Sequence, residues 1–267
     1  MISVANAPVS YGAFELTVGV LPNVPGPDEV LDAIAAAGYE GTELGPLGYL
    51  GDDGVLRERL DSRGLRLAGA FVELRFGGSD FSELAATLDV LEGFDAKPVF
   101  CDVGPRDGEV DLAEVERAVE LARARGFEPT FHHHMGTRVQ TPAEIERLLE
   151  RTSVGLLLDT GHLCAAGGDP VQGLRDWRDR IDHVHVKDMR LDALRGASGW
   201  DEAWRDGAFC ELGAGDVDLD GFFATLGAYS GWIVVEQDWV PHPGGDPAAQ
   251  IEAQARNRSW LLEHAGL

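Results

Sequence analysis

Two spacings of apolar residues alternate along this chain from end to end, one suited to strands and one to helices. Residues 2–7 (ISVANA) form a short apolar run and are predicted as a first strand. After a Pro/Gly-rich loop, Pro27 and Asp28 open DEVLDAIAAAG, with apolar residues at helical spacing and Gly38 placed to stop it. Residues 39–45 predict strand two, ending on Glu43, and a helix over about 53–63 stops at Gly64. Residues 65–74 predict strand three, ending near Glu73, before a helix over about 81–95. Strand four (98–104) precedes DLAEVERAVELARARG, whose stripe through Leu112, Val115, Val119 and Ala122 marks a helix.

The second half continues the alternation. FEPTFHHH, ending at His134, predicts strand five, and Thr141-Pro142-Ala143-Glu144 supplies a threonine N-cap, a proline at N1 and an acidic first turn. VGLLLDTG, 154–161, is a continuous apolar run, as expected of a strand buried on both faces. A helix over about 169–180, strand seven (181–188), an irregular insertion at about 190–217, a helix over 219–228, strand eight (231–239) and a last helix over about 247–264 complete the chain. Eight β-α units close most simply into one (β/α)8 TIM barrel spanning residues 1–267. An open doubly wound sheet is the alternative, but no G-x-G-x-x-G follows the first strand.

Composition narrows the chemistry. The 267 residues are 44% hydrophobic, enough for a sizeable core, and carry a formal net charge of −24. That charge repels phosphate backbones and argues against nucleic-acid or anionic-membrane partners. Three widely spaced cysteines (Cys101, Cys164, Cys210) do not make a disulfide framework and favour a reducing compartment. With no secretory leader pattern and no apolar run near the ~20 residues of a membrane span, the expectation is a soluble, cytoplasmic protein.

Otherwise apolar strands end in ionisable groups on one rim: Glu43, Glu73, His132 to His134, Asp159 with His162, His183, His185, Lys187, Asp188, Glu236 and Asp238. Active sites of parallel barrels lie at this end. Buried charge is costly unless paired or bound to a metal, so a ring of carboxylates and imidazoles points to a divalent cation, with donors suiting Mn, Co, Mg, Fe or Zn. Each group also has a bland role. Asp159 fits a helix N-cap in DTGH. One of His183 and His185 fits the core, and Lys187 fits an ion pair with Asp188. Trp200, Trp204 and Trp239 fit either a pocket wall or the packing of a long loop.

Taken together, GYEGTELG, LLLDTGH, HVHVKD, GAGDVDLDGF and GWIVVEQD make the chain resemble the xylose isomerase-like TIM-barrel superfamily of sugar isomerases and epimerases over essentially its whole length. FHHHMGTRVQTPAEIERLL followed by LLLDTGH is most similar to the inosose dehydratases within it. The resemblance implies one divalent metal, with Asp159, His185 and Glu236 at three ligand positions. Epimerases of the superfamily have a glutamate where this chain has His132. Inosose dehydratase-like sequences have Glu or Gln a few residues on, which assigns Gln140 as the fourth ligand with His134 competing. The resemblance also implies that His162 and Arg190 contact substrate.

The leading expectation is therefore a metal-dependent lyase. It would dehydrate a cyclic keto-polyol such as an inosose through a metal-stabilised enediolate. Glu236 or the strand-five histidine His132 would act as base, Lys187 would join the catalysis, and Glu43, His134, His162 and Arg190 would hold substrate. A keto-sugar isomerase or epimerase on the same site is the alternative. Further off stand an endonuclease IV-like enzyme, opposed by the charge, and a metal-free carbohydrate-binding barrel. A small sugar or polyol is the expected partner, and homo-oligomerisation is left open.

Overall fold

Leu156, Leu157 and Leu158 are fully buried in a strand that is paired on both edges, so it sits inside a sheet rather than at its margin. The computed structural model describes residues 1–241 and 246–267. Its strands are β1 (Ile2–Asn6), β2 (Gly41–Glu43), β3 (Arg66–Leu74), β4 (Lys97–Asp102), β5 (Thr130–His132), β6 (Gly155–Asp159), β7 (Ile181–Val186), β8 (Asp188–Met189), β9 (Phe209–Cys210) and β10 (Gly231–Val235). Eight of them close into a parallel barrel in the order β1-β10-β7-β6-β5-β4-β3-β2. The pairing of β1 with β10, from Ile2↔Gly231 to Asn6↔Val235, shuts the ring and rules out the open doubly wound sheet.

The helices around the barrel start and stop where local chemistry tells them to. The helix Pro142–Arg151 opens on a capping box: Thr141 accepts from the Glu144 N–H, and the Glu144 side chain accepts from Thr141 N. Asp111 caps Leu112–Ala124 through the N–H groups of Ala113 and Glu114. Gly38, at φ 86°, ends Pro27–Ala37 in the left-handed conformation that favours glycine. Each helix turns one stripe inward, such as Val115, Ala118, Val119 and Ala122. Each large apolar side chain so buried contributes about 1.5–3 kcal/mol.

The differences from the sequence reading have local causes. β5 stops at His132 because the backbone turns there, and the His134 N–H donates to Val139 O at 3.0 Å instead of to a neighbouring strand. β10 stops at Val235, and the N–H of Gln237 goes to Ser10 Oγ. A helix unforeseen in the sequence, Thr160–Ala165, starts directly after β6 with Asp159 as its cap. Residues 190–217 are not irregular throughout. They hold the helices Leu191–Gly196 and Trp200–Arg205, and β9 pairs with β8 in a two-stranded antiparallel ribbon. Asp188 anchors the return of this segment by accepting from the N–H groups of Gly213, Gly215 and Val217. Among the described residues no helix is long and apolar enough to cross a membrane.

One buried ion pair fixes the loop that follows β5. Arg138 lies against Asp102 at the end of β4, with Nε 2.8 Å from Oδ2, and also donates to Phe76 O and Glu109 O. A β-carbon at Gly104 would overlap the guanidinium, so glycine is required for this close approach. Removing one partner of a buried pair leaves an uncompensated charge. Arg138→Met is accordingly expected to lower stability by about 3–5 kcal/mol, read as a fall in the urea midpoint, with Asp102→Leu added to it restoring part of the loss.

Candidate active site

Alternate residues of a strand point to the same side, and at the carboxyl ends of these strands the inward side is polar. Glu43 ends β2, His132 ends β5, Asp159 ends β6, His183 and His185 sit on β7, and Glu236 follows β10. Asp159 is in register with His185. Donor atoms from His132, Asp159, His185 and Glu236 all lie within 4.8 Å of one another, and all four residues are buried. Asp159 Oδ2 is 3.7 Å from both His132 Nε2 and His185 Nδ1, and His185 Nδ1 is 2.9 Å from Glu236 Oε2.

Neighbouring groups aim these donors. His132 Nδ1 is 2.6 Å from His133 O, so the N–H belongs on Nδ1 and the Nε2 lone pair faces Asp159. His185 Nε2 is 3.0 Å from Glu43 Oε1, which places the N–H there and leaves Nδ1 toward Glu236. The same Glu43 oxygen accepts from His183 Nε2 at 3.0 Å. An imidazole held from behind by a carboxylate or carbonyl is the usual arrangement of a metal-ligating histidine. Asp159 divides its work: Oδ1 accepts from the His162 N–H at 2.8 Å, while Oδ2 is buried with no hydrogen bond. The N-cap reading of Asp159 holds, and its second oxygen remains available to a cation. His133 accepts from the Asp159 N–H through Nε2 at 3.1 Å.

Four buried carboxylates, Glu43, Asp159, Glu236 and Asp238, surround a single buried ammonium, Lys187. Lys187 Nζ lies 2.8 Å from Asp238 Oδ1, 2.9 Å from Glu236 Oε2 and 3.1 Å from His162 Nε2. Its hydrogen bonds go to Asp238 Oδ2 at 2.9 Å and to His162 Nε2, and Glu236 completes an ion pair. Burial disfavours its charge, but Asp159, Asp238 and Glu236 outweigh burial and hold it protonated. Burial pushes Asp159 up to about 6 against the pull of Lys187 and His185. For His185 burial works downward, yet Glu236 and Glu43 lift it to about 10. A proton on His185 thus answers the surplus negative charge. A divalent cation between His132, Asp159, His185 and Glu236 would answer it more fully, and two imidazoles with two carboxylates are suitable donors.

Above this cluster opens a cavity of about 420 Å³. His132, His134, His185, Lys187, Glu43, Glu73, Glu236 and Asp238 line it, with Trp200 and Trp204 from the segment after β7. The tryptophans serve both roles foreseen for them, since Trp204 also donates to Asp238 O and Trp200 packs on Phe209. Trp239 instead covers Gly12.

Five expectations change. Gln140 is engaged elsewhere: its Oε1 accepts from the Gly136 N–H at 2.8 Å within its own loop and it does not line the cavity, while His132 is the fourth group of the cluster. His132 is thereby turned from candidate base to candidate ligand. Glu43 is spent on His183 and His185 rather than free for substrate. His162 is fully buried behind His134, with ring centroids 3.8 Å apart, and does not line the cavity. Arg190 is exposed, directly after β8, and does not line it either. His133 and the Asp102–Arg138 pair had no reading of their own. Only the HHH run hinted at the first, and no sequence spacing signals the second.

Comparison with known proteins agrees with this fold. The model of the family described as xylose isomerase-like TIM barrel matches residues 98–264. The inosose dehydratase of Geobacillus thermodenitrificans (strain NG80-2) is 31% identical over 276 residues, covering 90% of each chain. That of Clostridium beijerinckii (strain ATCC 51743 / NCIMB 8052) is 33% identical over 272 residues, again covering 90% of each. Among solved structures, the IOLI protein with a bound zinc atom superposes with a TM-score of 0.72 at 15% identity, covering 99% of this chain and 100% of that one.

Burial drives His133 from its usual 6.5 down to about 3. A histidine whose folded value is depressed gives stability that is complete above the unfolded value and is lost as pH falls through the folded one. In chelator-treated protein the urea midpoint is expected to decline as pH drops below 6.5, and His133→Gln, which keeps an acceptor for the Asp159 N–H, should flatten that decline.

Proposed function

The chain belongs to the xylose isomerase-like TIM barrel family, and on that premise we propose that it is a divalent-metal-dependent lyase that removes water from a cyclic keto-polyol of the inosose type. One observation carries the reading: the buried cluster of His132, Asp159, His185 and Glu236 on the floor of a cavity, in a chain about one third identical to inosose dehydratases over 90% of its length.

We assign the metal to those four residues. An ion held there polarises a substrate carbonyl and stabilises the negative charge that develops when the adjacent C–H is deprotonated. Two imidazole donors shift preference away from Mg and towards Zn or Co, and the zinc of the IOLI protein is in keeping with that choice. Titration of metal-free protein is expected to give Zn or Co affinity at least about tenfold above Mg, and His132→Glu should narrow the gap. Equal affinities in the wild type would refute the assignment.

The remaining groups take simple parts. His134 lines the cavity, keeps its N–H on Nδ1 toward Met135 O at 2.8 Å, and leaves Nε2 as an acceptor. Burial and Lys187 lower its pKa, so it stays neutral and able to receive the proton α to the carbonyl. Glu236 is held ionised: burial raises it, but His185 and Lys187 bring it down to about 2. Lys187 stays charged and supplies a fixed positive field at the wall where negative charge develops. The lining carries six carboxyl groups (Glu15, Glu43, Glu73, Asp201, Glu236, Asp238) and one cation, which suits an uncharged polyol rather than a phosphorylated one. The epimerase alternative needs a base on each face of the carbon. With His132 where epimerases carry glutamate, that symmetric pair is missing. Three unpaired cysteines suit a reducing, cytoplasmic setting.

Zinc- or cobalt-loaded protein is expected to convert an inosose to an unsaturated or diketone product seen by its absorbance, and no absorbance change sinks the reading. His134→Asn is expected to lower kcat by about 10²–10⁴-fold and to abolish exchange of the α-hydrogen with solvent deuterium.

A further inference from the structure

Loss of water from a β-hydroxy ketone needs two proton transfers, one off the α-carbon and one onto the departing hydroxyl. The groups around the cluster are poor donors for the second. Glu236 is assigned to the metal, Lys187 donates to Asp238 Oδ2 and His162 Nε2 and is ion-paired with Glu236, and Glu43 Oε1 is the acceptor for two histidines. Of the other carboxyl groups in the cavity wall, Asp238 is held by Lys187, Glu15 is exposed on a loop, and Asp201 is exposed on the helix Trp200–Arg205. Glu73 alone is partly buried, fixed on a strand, and without a side-chain hydrogen bond or ion pair among the described residues.

Its place in the barrel is the second argument. In the ring β1-β10-β7-β6-β5-β4-β3-β2, β3 is four steps from β7 in either direction. Glu73 therefore stands across the cavity from His185 and Lys187. The strand position is secured by pairing with Cys101 on β4, and the Glu73 N–H donates to Glu83 Oε1 at 2.8 Å. Burial, and then the Glu83 carboxylate, raise its pKa, so the acid form persists to higher pH than for an ordinary glutamate.

We propose that Glu73 is the general acid of the dehydration, protonating the β-hydroxyl of a ring whose carbonyl rests at the opposite wall. The inference rests on the dehydratase reading above. In the step, the α C–H pair becomes the new C=C bond as the proton passes to His134. The C–O pair leaves with the oxygen, and the Glu73 proton completes a water molecule. Glu73 is reprotonated from solvent, and nothing is oxidised or reduced.

The test separates the two transfers in metal-loaded enzyme. Glu73→Gln is expected to slow water loss from an inosose by about 10²–10⁴-fold while α-hydrogen exchange in deuterium oxide stays within about threefold of wild type. A substrate analogue with fluorine in place of the β-hydroxyl, whose leaving group needs no proton, should lose fluoride at a near wild-type rate in the variant. In Glu73→Ala, added formate should restore part of the water loss. The proposal is overturned by Glu73→Gln retaining water loss within about tenfold, by exchange and fluoride loss falling together with it, or by no formate rescue in Glu73→Ala. Wild-type enzyme that neither exchanges the α-hydrogen nor releases water removes the dehydratase reading itself, a result distinct from any of these.

Discussion

Surplus negative charge buried at the mouth of the barrel is the constraint on which the rest of this molecule depends. Glu43, Asp159, Glu236 and Asp238 are all withdrawn from water, and Lys187 is the one ammonium among them. In a medium of low polarity such an arrangement costs several kcal/mol per uncompensated ion. Every strand from β5 to β10 that reaches this rim contributes either to the charge or to its compensation. A protonated His185 relieves it in part, and a divalent cation would relieve more of it. The cluster is thus a place where binding free energy and folding free energy are coupled.

Around that constraint the supporting residues act by fixing tautomers. His133 O and Glu43 each take one imidazole N–H, which decides that His132 offers Nε2 and His185 offers Nδ1. Glu43 reaches these histidines because Gly69 has no side chain: a β-carbon there would sit 3.1 Å from its Oε1. Farther out, Asp102 and Arg138 tie the loop bearing His134 to the end of β4, so the proposed base is placed by an ion pair that never touches substrate. The segment after β7 closes the cavity with Trp200 and Trp204, and Asp188 draws its return back onto the barrel.

The cavity has two unlike walls. On the β5–β10 side the groups are fully buried, paired and charged, and their protonation states are set by one another. On the β3 side Glu73 is only partly buried and has no partner of opposite sign among the described residues. Two acid–base environments facing one another across a small cavity are what an elimination needs, since one transfer removes a proton and the other delivers one.

The sequence by itself determined the architecture, because hydrophobic periodicity and caps are local. The Thr141–Glu144 capping box, the stop at Gly38 and the run Leu156–Leu158 each fix an element without reference to the rest of the chain. It also determined which rim the chemistry occupies, since Asp159, His185 and Glu236 each fall at the end of an apolar strand. Only the tertiary structure decided which groups meet. The resemblance implies Gln140 as fourth donor with His134 competing, but the turn at His134 folds Gln140 back on Gly136 while the strand end sets His132 beside Asp159. Glu43 reads as a free rim carboxylate until β7 sets two histidines against it. Arg138 and Asp102 lie thirty-six positions apart and carry no motif. Pairings of that kind depend on which strands are neighbours and on the direction of each side chain, and a single chain written out in order does not hold that information.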